Sequence, residues 1–453
     1  MSTDLVRPEV GPPAPWAFPS PVSGRLGNGV RVVAFDVPGA LLGAVTVLVQ
    51  APLDAESADR EGVATIVANT LDEGTAHHSG EQFSDEVALL GAQYGAAAGR
   101  GTTQLSLDVA SSSLQPALAL LAEALTSPTF PEQEVARHVA LRLAAIAQQD
   151  SVAAIRAGRG LAAACFAATS RASRPGGGTP QTVAPITAQD VTTWYRAGFS
   201  PNRTTVVLGA DLAGADPVEL VGAALADWTG DRPATLPDAG PAPQPTAPTV
   251  TVIDRPGSVQ SALALGLAGP DRGDPAWPAL LLAAHALGGG LSSRLMQSLR
   301  EDLGYTYGIG ARFSPFRAGG QFAISTAVDT ATTGPALDQI RLVVDGLRRD
   351  GLTAPERDDA VDYYLGASPL RFQTARALVD QAAGLLADAM PADWLNSLRA
   401  AMPDVSAEQA SAAFADAVPA PLAVVVVGDA DTVAEPVAAL GLGTPSVVPA
   451  DQT

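Results

Sequence analysis

The chain has 453 residues, a formal net charge of −20 and 47% hydrophobic residues. At roughly 150–250 residues per domain, this length predicts two domains, or three small ones, each able to bury a core. The negative charge argues against a nucleic-acid or anionic-membrane partner. It is compatible with simple solubility, the more ordinary explanation, and also with a protein that handles basic peptides.

The single cysteine, Cys165, lies in an apolar run. This apolar setting predicts a buried structural thiol rather than a nucleophile. A single cysteine cannot form a disulfide within the chain, which fits a reducing compartment. The N-terminus has no positively charged segment followed by an apolar core, and arginine, glutamate or glycine interrupts the alanine-rich stretches. We therefore expect neither a signal peptide nor a transmembrane helix, and a cytoplasmic protein.

The elements of the first half follow from its periodicity. Residues 1–20, rich in proline and polar side chains, predict an extended arm, and residues 21–228 predict the first domain. Ser79 is a predicted helix N-cap, and the first two strands are predicted to pair antiparallel. Strands are predicted at 30–35, 43–49, 103–109 and 204–209, and helices at about 61–73, 80–90, 113–126, 131–149 and 187–197.

Residues 229–248 are proline-rich and almost without apolar periodicity, which predicts a stiff linker before a second domain at 249–450. The order of elements then recurs, and both closing strands are followed by aspartates, at Asp211 and Asp429. We therefore predict an α+β fold of two homologous domains, each an antiparallel-rich sheet covered by helices. Strands are predicted at 249–253, 262–267, 306–313, 321–328 and 422–428, and helices at about 275–287, 291–301, 333–350, 355–364, 371–389, 391–401 and 406–416.

Several motifs occur in an order that resembles the pitrilysin/insulinase family of zinc peptidases, over about residues 21–450. Each is weak alone, and together they are specific. They are Leu26-Gly-Asn-Gly-Val30, Pro128-Thr-Phe-Pro131, Phe199-Ser-Pro-Asn202, and Leu291-Ser-Ser-Arg294-Leu with the following Arg300-Glu301 and Gly304-Tyr-Thr-Tyr307. The resemblance implies two domains that form half of a clamshell.

Catalytic members of that family carry H-x-x-E-H between a G-x-A and a G-T sequence. Two histidines one helical turn apart bind Zn²⁺, the glutamate is the general base, and a distant glutamate completes the metal shell. Here Thr65 and Asn69 occupy the histidine positions, Ala68 the glutamate position, and Ala145 the position of the distant ligand. The resemblance thus implies no metal and no cofactor in this chain, with zinc expected in a partner subunit.

The resemblance also implies that Arg300 and Tyr307 assist at the partner's zinc site, the arginine holding a substrate carbonyl and the tyrosine donating to the oxyanion. Alternatively Arg300 makes a local ion pair and Tyr307 is a half-buried strand residue, with Tyr305 as a competitor for the tyrosine role. Gly288, Gly289 and Gly290 resemble a substrate-binding glycine-rich segment, and equally a helix C-cap with a tight turn.

The four histidines give only a weak metal signal. His77 and His78 lie beside Asp72 and Glu73 in a predicted polar loop, and adjacent histidines cannot point to one side of a helix or strand. The other two, at positions 138 and 285, are predicted to be surface or capping groups.

Two hypotheses follow. In the first, the chain is the non-catalytic subunit of a heterodimeric zinc peptidase, similar to those of bacterial and mitochondrial two-subunit peptidases. It would bind a peptide or leader segment and act with a homologous H-x-x-E-H partner. In the second, it is a catalytically inert structural or peptide-binding protein. An unrelated enzyme chemistry is disfavoured, because no nucleophile elbow, phosphate loop or dinucleotide fingerprint occurs.

Overall fold

The computed structural model describes residues 15–230 and 249–449. Most of the predicted linker, and residues 1–14 of the predicted arm, lie outside these ranges. The described end of the arm is fixed to the second half of the chain: the Phe18 backbone N–H donates to Asn396 Oδ1 at 2.7 Å, and Asn396 Nδ2 donates to the Phe18 carbonyl at 3.0 Å. Trp16 stacks on Phe372 at 5.8 Å between ring centroids.

Two six-stranded mixed sheets form the framework, one in each half of the chain, which confirms the predicted fold class. The strand orders are β1-β2-β6-β3-β5-β4 and β12-β7-β11-β8-β10-β9. The strands are β1 Val22–Arg25, β2 Arg31–Asp36, β3 Leu42–Val49, β4 Gln93–Ala98, β5 Thr103–Ala110, β6 Thr204–Ala210, β7 Val250–Asp254, β8 Gln260–Gly269, β9 Ile309–Phe316, β10 Gly319–Asp329, β11 Ala423–Gly428 and β12 Ser446–Val448.

The predicted pairing of the first two long strands is wrong. Strand β6 lies between β2 and β3, parallel to the former and antiparallel to the latter. In the second half β11 likewise lies between β7 and β8. Both inserted strands are almost wholly buried, because a central strand has neighbours on both edges and helices on its faces. The last long strand of each half is therefore an internal strand of its sheet and not an edge strand.

Fifteen α-helices occur in the described residues. They are α1 Val63–Thr70, α2 Gly80–Leu89, α3 Leu114–Thr126, α4 Glu132–Asp150, α5 Ala153–Cys165, α6 Pro180–Val183, α7 Ala188–Gly198, α8 Pro217–Leu225, α9 Trp277–Ala284, α10 Thr333–Asp350, α11 Ala354–Arg371, α12 Ala375–Ala387, α13 Trp394–Ala401, α14 Ala407–Ala417 and α15 Ala430–Ala439. Ser79 is the N-cap of α2, as predicted, and it also forms a capping box with Gln82. The helices α5, α6, α8 and α15 and the strands β1, β4 and β12 were not predicted.

The recurrence of elements has a structural counterpart after the closing strands. The Gly39 N–H donates to Asp211 Oδ2 at 3.0 Å, and the Gly257 N–H donates to Asp429 Oδ2 at 2.8 Å. Donor and acceptor are 172 residues apart in both halves. The aspartate after each closing strand thus binds the same turn in its own domain, which explains why both strands are followed by an acidic residue.

Each sheet is covered on one face by a helix from the other half of the chain. Helix α5 of the first half packs on β8 and β11, and helix α12 of the second half packs on β3 and β6. Each has 13 residues and follows the long helix α4 or α11. The residues Ala157, Leu161 and Cys165 of α5 share a buried cluster with Val425 and Val427. Cys165 is thus buried, as predicted, and burial raises the pKa of its thiol to about 11.

Polar contacts and small residues hold the exchanged helices in place. Arg376 of α12 donates to Asp108 Oδ1 at 2.8 Å, to the Leu107 carbonyl at 2.8 Å and to Thr46 Oγ1 at 3.1 Å. On α5, Gly160 approaches the second sheet so closely that an added Cβ would lie 3.0 Å from Val425 Cγ1. The hydrogen bonds of Arg376 fix the position of α12 along the strands, and the missing side chain at Gly160 allows α5 to approach its sheet closely.

We expect Gly160→Leu to lower the free energy of unfolding by about 1–3 kcal/mol, because its side chain overpacks the face between α5 and the second sheet. Gly158→Leu is the matched control: it lies on the same helix, is exposed, and an added Cβ there would meet nothing within 4 Å. Urea unfolding of both variants measures the difference. Equal stability of the two variants would contradict the exchanged packing of α5.

Candidate functional site: a zinc-site remnant and an exposed arginine and tyrosine

A buried carboxylate holds the start of helix α1, which carries the degenerate zinc-ligand positions. Glu56 Oε1 accepts hydrogen bonds from the N–H groups of Gly62 and Ala64 at 2.9 and 3.0 Å. Its Oε2 accepts from Arg171 Nη2 at 2.8 Å, and the two side chains are 0% and 4% exposed. The carboxylate thus binds two otherwise unpaired N–H groups at the helix N-terminus, where negative charge is favourable.

Neighbouring contacts make this part of the fold rigid. Glu61 Oε1 lies 2.7 Å from Arg174 Nη2. Gly62 has a φ of +102°, and an added Cβ would lie 2.8 Å from the Gly177 carbonyl oxygen, so only glycine fits there. Thr75, at the other end of the motif, accepts from the His78 N–H at 2.9 Å. Gly62 and Thr75, which belong to the G-x-A and G-T sequences on either side of the zinc-ligand positions, therefore have structural roles that need no metal.

The ligand positions themselves carry no metal-binding group. Thr65 and Asn69 lie four residues apart on α1 and are half-buried, and Ala68 is buried. Ala145 lies half-buried on α4, which packs against α1. Within residues 15–230 and 249–449, no group of three or more His, Cys, Asp or Glu side chains is placed to hold a metal ion. The residues present therefore do not fit the family's zinc.

The histidines near the remnant pair with two different carboxylates. His138 Nε2 lies 2.7 Å from Glu73 Oε1, and Arg137 also binds this carboxylate at 2.5 Å. His78 Nδ1 lies 2.9 Å from Glu123 Oε1. Burial acts to raise the pKa of Glu73, but the bonds from His138 and Arg137 outweigh it and lower the pKa. His138 is thus a half-buried hydrogen-bond partner of Glu73, and its prediction as a surface or capping group is wrong.

Arg300 and Tyr307 both face solvent. Arg300 lies in a π-helical segment, Met296–Asp302, and its Nε is 3.4 Å from Glu301 Oε1; the two side chains are 42% and 54% exposed. Such a pair contributes little to stability. The Tyr307 side chain is 94% exposed and precedes β9, so the alternative of a half-buried strand residue is wrong. Tyr305, by contrast, packs against the core of the second domain.

The glycine-rich segment is shaped by close packing. The predicted helix at 275–287 is regular only to Ala284 and continues as a π-helical turn, His285–Gly289. An added Cβ at Gly288 would lie 2.5 Å from the Ala311 nitrogen, and one at Gly289 would lie 2.8 Å from His285 Nδ1. His285 is itself half-buried and stacks on Tyr363 at 4.4 Å, so its prediction as a surface or capping group is also wrong. Gly290 is half-buried at the end of the turn.

Another motif residue, Arg294, is a structural anchor. Its Nε and Nη2 donate to the two oxygens of Glu356 at 2.6 and 2.7 Å, and Nη2 also donates to the Gly351 carbonyl at 2.7 Å. Glu356 closes the capping box of α11 with Thr353. Burial acts to raise the pKa of Glu356, but the bonds from Arg294 and Thr353 lower it to about 2. The anchor ties the segment that carries Arg300 to the start of α11.

Two family models match the chain. One, described as insulinase (peptidase family M16), matches residues 31–171, and the other, described as peptidase M16 inactive domain, matches residues 185–364. The chain belongs to peptidase family M16. Since it lacks the family's ligand side chains, it is an inactive member of M16.

The relatives include named peptidases and a named non-peptidase. An uncharacterized zinc protease of Mycobacterium tuberculosis is 26% identical over 356 residues, 77% of this chain and 80% of the relative. A non-peptidase homolog of Helicobacter pylori is 25% identical over 315 residues, 69% and 72% of the two chains. The crystal structure of a peptidase M16 inactive domain from Pseudomonas fluorescens superposes with a TM-score of 0.83 at 24% identity, covering 90% of this chain and 98% of that one. It shows the same fold.

In the part of the chain that the structure describes, no helix is both long and apolar enough to cross a membrane.

We expect the combined substitution Thr65→His, Ala68→Glu, Asn69→His and Ala145→Glu to bind about one zinc ion per chain, because it restores the three-ligand set and its general base. Metal analysis after gel filtration measures the zinc, and circular dichroism checks that the variant is folded. The control variant carries the other three substitutions but keeps Ala145, and it should bind zinc more weakly because it lacks the third ligand. A folded variant without zinc would show that these positions do not converge.

We expect Arg294→Gln to lower the free energy of unfolding by about 1.5–3 kcal/mol, because it removes charge-assisted bonds to Glu356. The control Arg341→Gln removes an exposed pair with Asp338 and should cost less than about 0.5 kcal/mol.

The loss of unfolding free energy caused by Arg294→Gln should also depend on pH. The pKa of Glu356 is about 2 in the fold, against an ordinary value of 4.5. Because the unfolded chain takes up this proton first, the stabilisation should be complete above pH 4.5 and lost as the pH falls through 2. Unfolding of wild type and Arg294→Gln at several pH values tests this. A difference that persists unchanged at the lowest pH would contradict it.

Proposed function

We propose that this chain is the non-catalytic subunit of a two-subunit zinc peptidase, with a homologous H-x-x-E-H partner that holds the zinc. One contrast carries the proposal: the zinc-ligand positions hold no ligand side chains, whereas Arg300 and Tyr307 extend into solvent. A tyrosine that is 94% exposed does nothing for the packing of its own chain. Its position suits contact with a second molecule.

The two side chains offer the chemistry that a partner's zinc site could use. The Arg300 guanidinium can hold a substrate carbonyl by two parallel hydrogen bonds. The Tyr307 hydroxyl can donate to the oxyanion that forms when water attacks the scissile carbonyl. Neither group needs a metal in this chain, so the proposed role is compatible with the lost ligands.

The proposed substrates are peptides or leader segments that enter a chamber formed by the two subunits. Gly288, Gly289 and Gly290 are proposed as part of the peptide-binding surface; Gly289 is exposed, whereas Gly288 is buried against β9. The net charge of −20 favours basic over acidic peptides.

The alternative is a catalytically inert structural or peptide-binding protein, in which Arg300 and Tyr307 have no role in proteolysis. The ion pair of Arg300 with Glu301 favours it, since that contact gives the arginine a local partner. Activity of the complex separates the two hypotheses, because only the first makes proteolysis depend on these side chains.

The first experiment combines this chain with the H-x-x-E-H homologue of the same genome and measures zinc content and peptide cleavage. We expect zinc and activity in the mixture, and neither in this chain alone. Zinc-dependent activity of this chain alone would disprove its inactivity. If the mixture were inactive while the partner cleaved the peptide by itself, the inert alternative would be favoured.

In the active mixture we expect Tyr307→Phe to lower kcat by about 100-fold, because one oxyanion donor is lost. Arg300→Ala should lower kcat/KM by a similar factor. The matched control is Arg349→Ala, which removes an exposed arginine that likewise pairs with the next residue, Asp350. An equal, small effect of all three substitutions would show that Arg300 and Tyr307 are not used.

A further inference from the structure

A cavity of about 160 Å³ lies in the second domain, away from both the zinc-site remnant on α1 and the exposed Tyr307. Residues of α11, α12 and α13 form most of its wall, and Arg272, Leu281, Phe372 and Met402 complete it. Its lining includes the rings of Tyr364 and Trp394. None of the residues proposed for the proteolytic role, Arg300, Tyr307 and the glycines 288–290, lines this cavity.

The charge of this cavity is opposite to that of the protein. Three arginines line it, Arg272, Arg371 and Arg399, and no carboxylate does, although the chain carries a net charge of −20. Arg272 is paired with Asp388 at 2.9 Å. In the described part of the chain, Arg371 and Arg399 have no carboxylate within ion-pair distance. Two arginines without a carboxylate partner therefore line one small space, and the Arg399 guanidinium also lies over the Trp16 ring, 5.0 Å from its centroid.

Arg399 has a structural role that uses only part of its donors. Its Nη1 donates to the carbonyls of Tyr364 and Leu365 at 3.2 and 3.1 Å. The Leu365 carbonyl lacks its usual helical donor, because Pro369, four residues later in α11, has no N–H. This bond fixes the guanidinium beside the cavity. Its Nη2 has one long contact, 3.5 Å to the Trp16 carbonyl.

Arg371 makes fewer hydrogen bonds than Arg399. It is the last residue of α11, its side chain is exposed, and its contact is a long one, from Nη2 to the Tyr363 hydroxyl at 3.4 Å. A guanidinium in this setting can turn toward a ligand without breaking an ion pair, and it can bind a carboxylate through two N–H groups.

We propose that this cavity binds a small organic anion, a carboxylate carried on a single aromatic ring. The volume fits one ring, since a cavity of about 150 Å³ holds benzene. The ring would lie against Tyr364 and Trp394, and the carboxylate would accept hydrogen bonds from Arg371 and Arg399. Such a group occurs in free aromatic acids and at the C-terminus of a peptide that ends in an aromatic residue.

Isothermal titration calorimetry of the full chain with benzoate tests the site, with benzamide as the neutral analogue. We expect benzoate to bind with a Kd of about 1 mM or tighter and benzamide at least tenfold more weakly, because only the carboxylate can pair with the guanidinium groups. N-acetylphenylalanine, which carries its carboxylate as a peptide C-terminus does, distinguishes the two sources. If N-acetylphenylalanine bound more tightly than benzoate, the ligand would be the C-terminus of a peptide. If it did not bind, the ligand would be a free aromatic acid.

Arg371→Gln should weaken benzoate binding about tenfold or more, and the fold should persist because the side chain is exposed. Arg349→Gln is the matched control, since it removes one exposed charge from the last turn of the long helix α10. Equal binding of benzoate and benzamide, or equal loss in the two variants, would overturn the proposal. Neither outcome depends on peptidase activity, so the result is independent of the proposed function.

Discussion

The two sheets of this protein depend on each other, because α5 of the first half covers the second sheet and α12 of the second half covers the first. With a helix on each face, a central strand is buried on both sides, which explains the unbroken apolar run of β11, Ala423–Gly428. Neither half has a complete set of helices of its own. An apolar interface of this kind opposes independent domain motion, so the zinc-site remnant and Arg300 belong to one rigid framework.

Within that framework, the zinc motif divides into residues that hold the fold and residues that would hold a metal. Gly62 and Ala64 bind the carboxylate of Glu56 through their N–H groups, and these contacts set where helix α1 begins. Thr65 and Asn69 lie half-buried on the same helix without such a role. The ligand side chains could therefore be absent while the residues on either side of them keep their structural contacts, which is why the resemblance to the zinc motif remains in the sequence.

Local patterns predicted most of the framework, and the failures have physical causes. Ser79 and the strand β5 could be predicted because an N-cap residue before a helix and a period of two are local signals. Helix α5 could not, because Gly158 and Gly160 lower its helix propensity while its stability comes from packing on the other domain's sheet. Long-range contacts leave no local signal at all: Glu56 and Arg171 pair across 115 residues, and the insertion of β6 between β2 and β3 is equally invisible to periodicity.

The motif at residues 291–307 of the second domain likewise contains residues that stabilise the fold and residues that face solvent. Arg294 points inward and ties its segment to Glu356 with near-ideal paired bonds. Arg300 and Tyr307, a few residues later, contribute almost nothing to the fold, because an exposed ion pair is weak and an exposed ring buries no area. A rigid anchor behind two exposed side chains is the arrangement that presents a functional group to another molecule, since it limits the entropy lost on binding. That reasoning, rather than the absence of the zinc-ligand side chains alone, favours a subunit that acts at a partner's site.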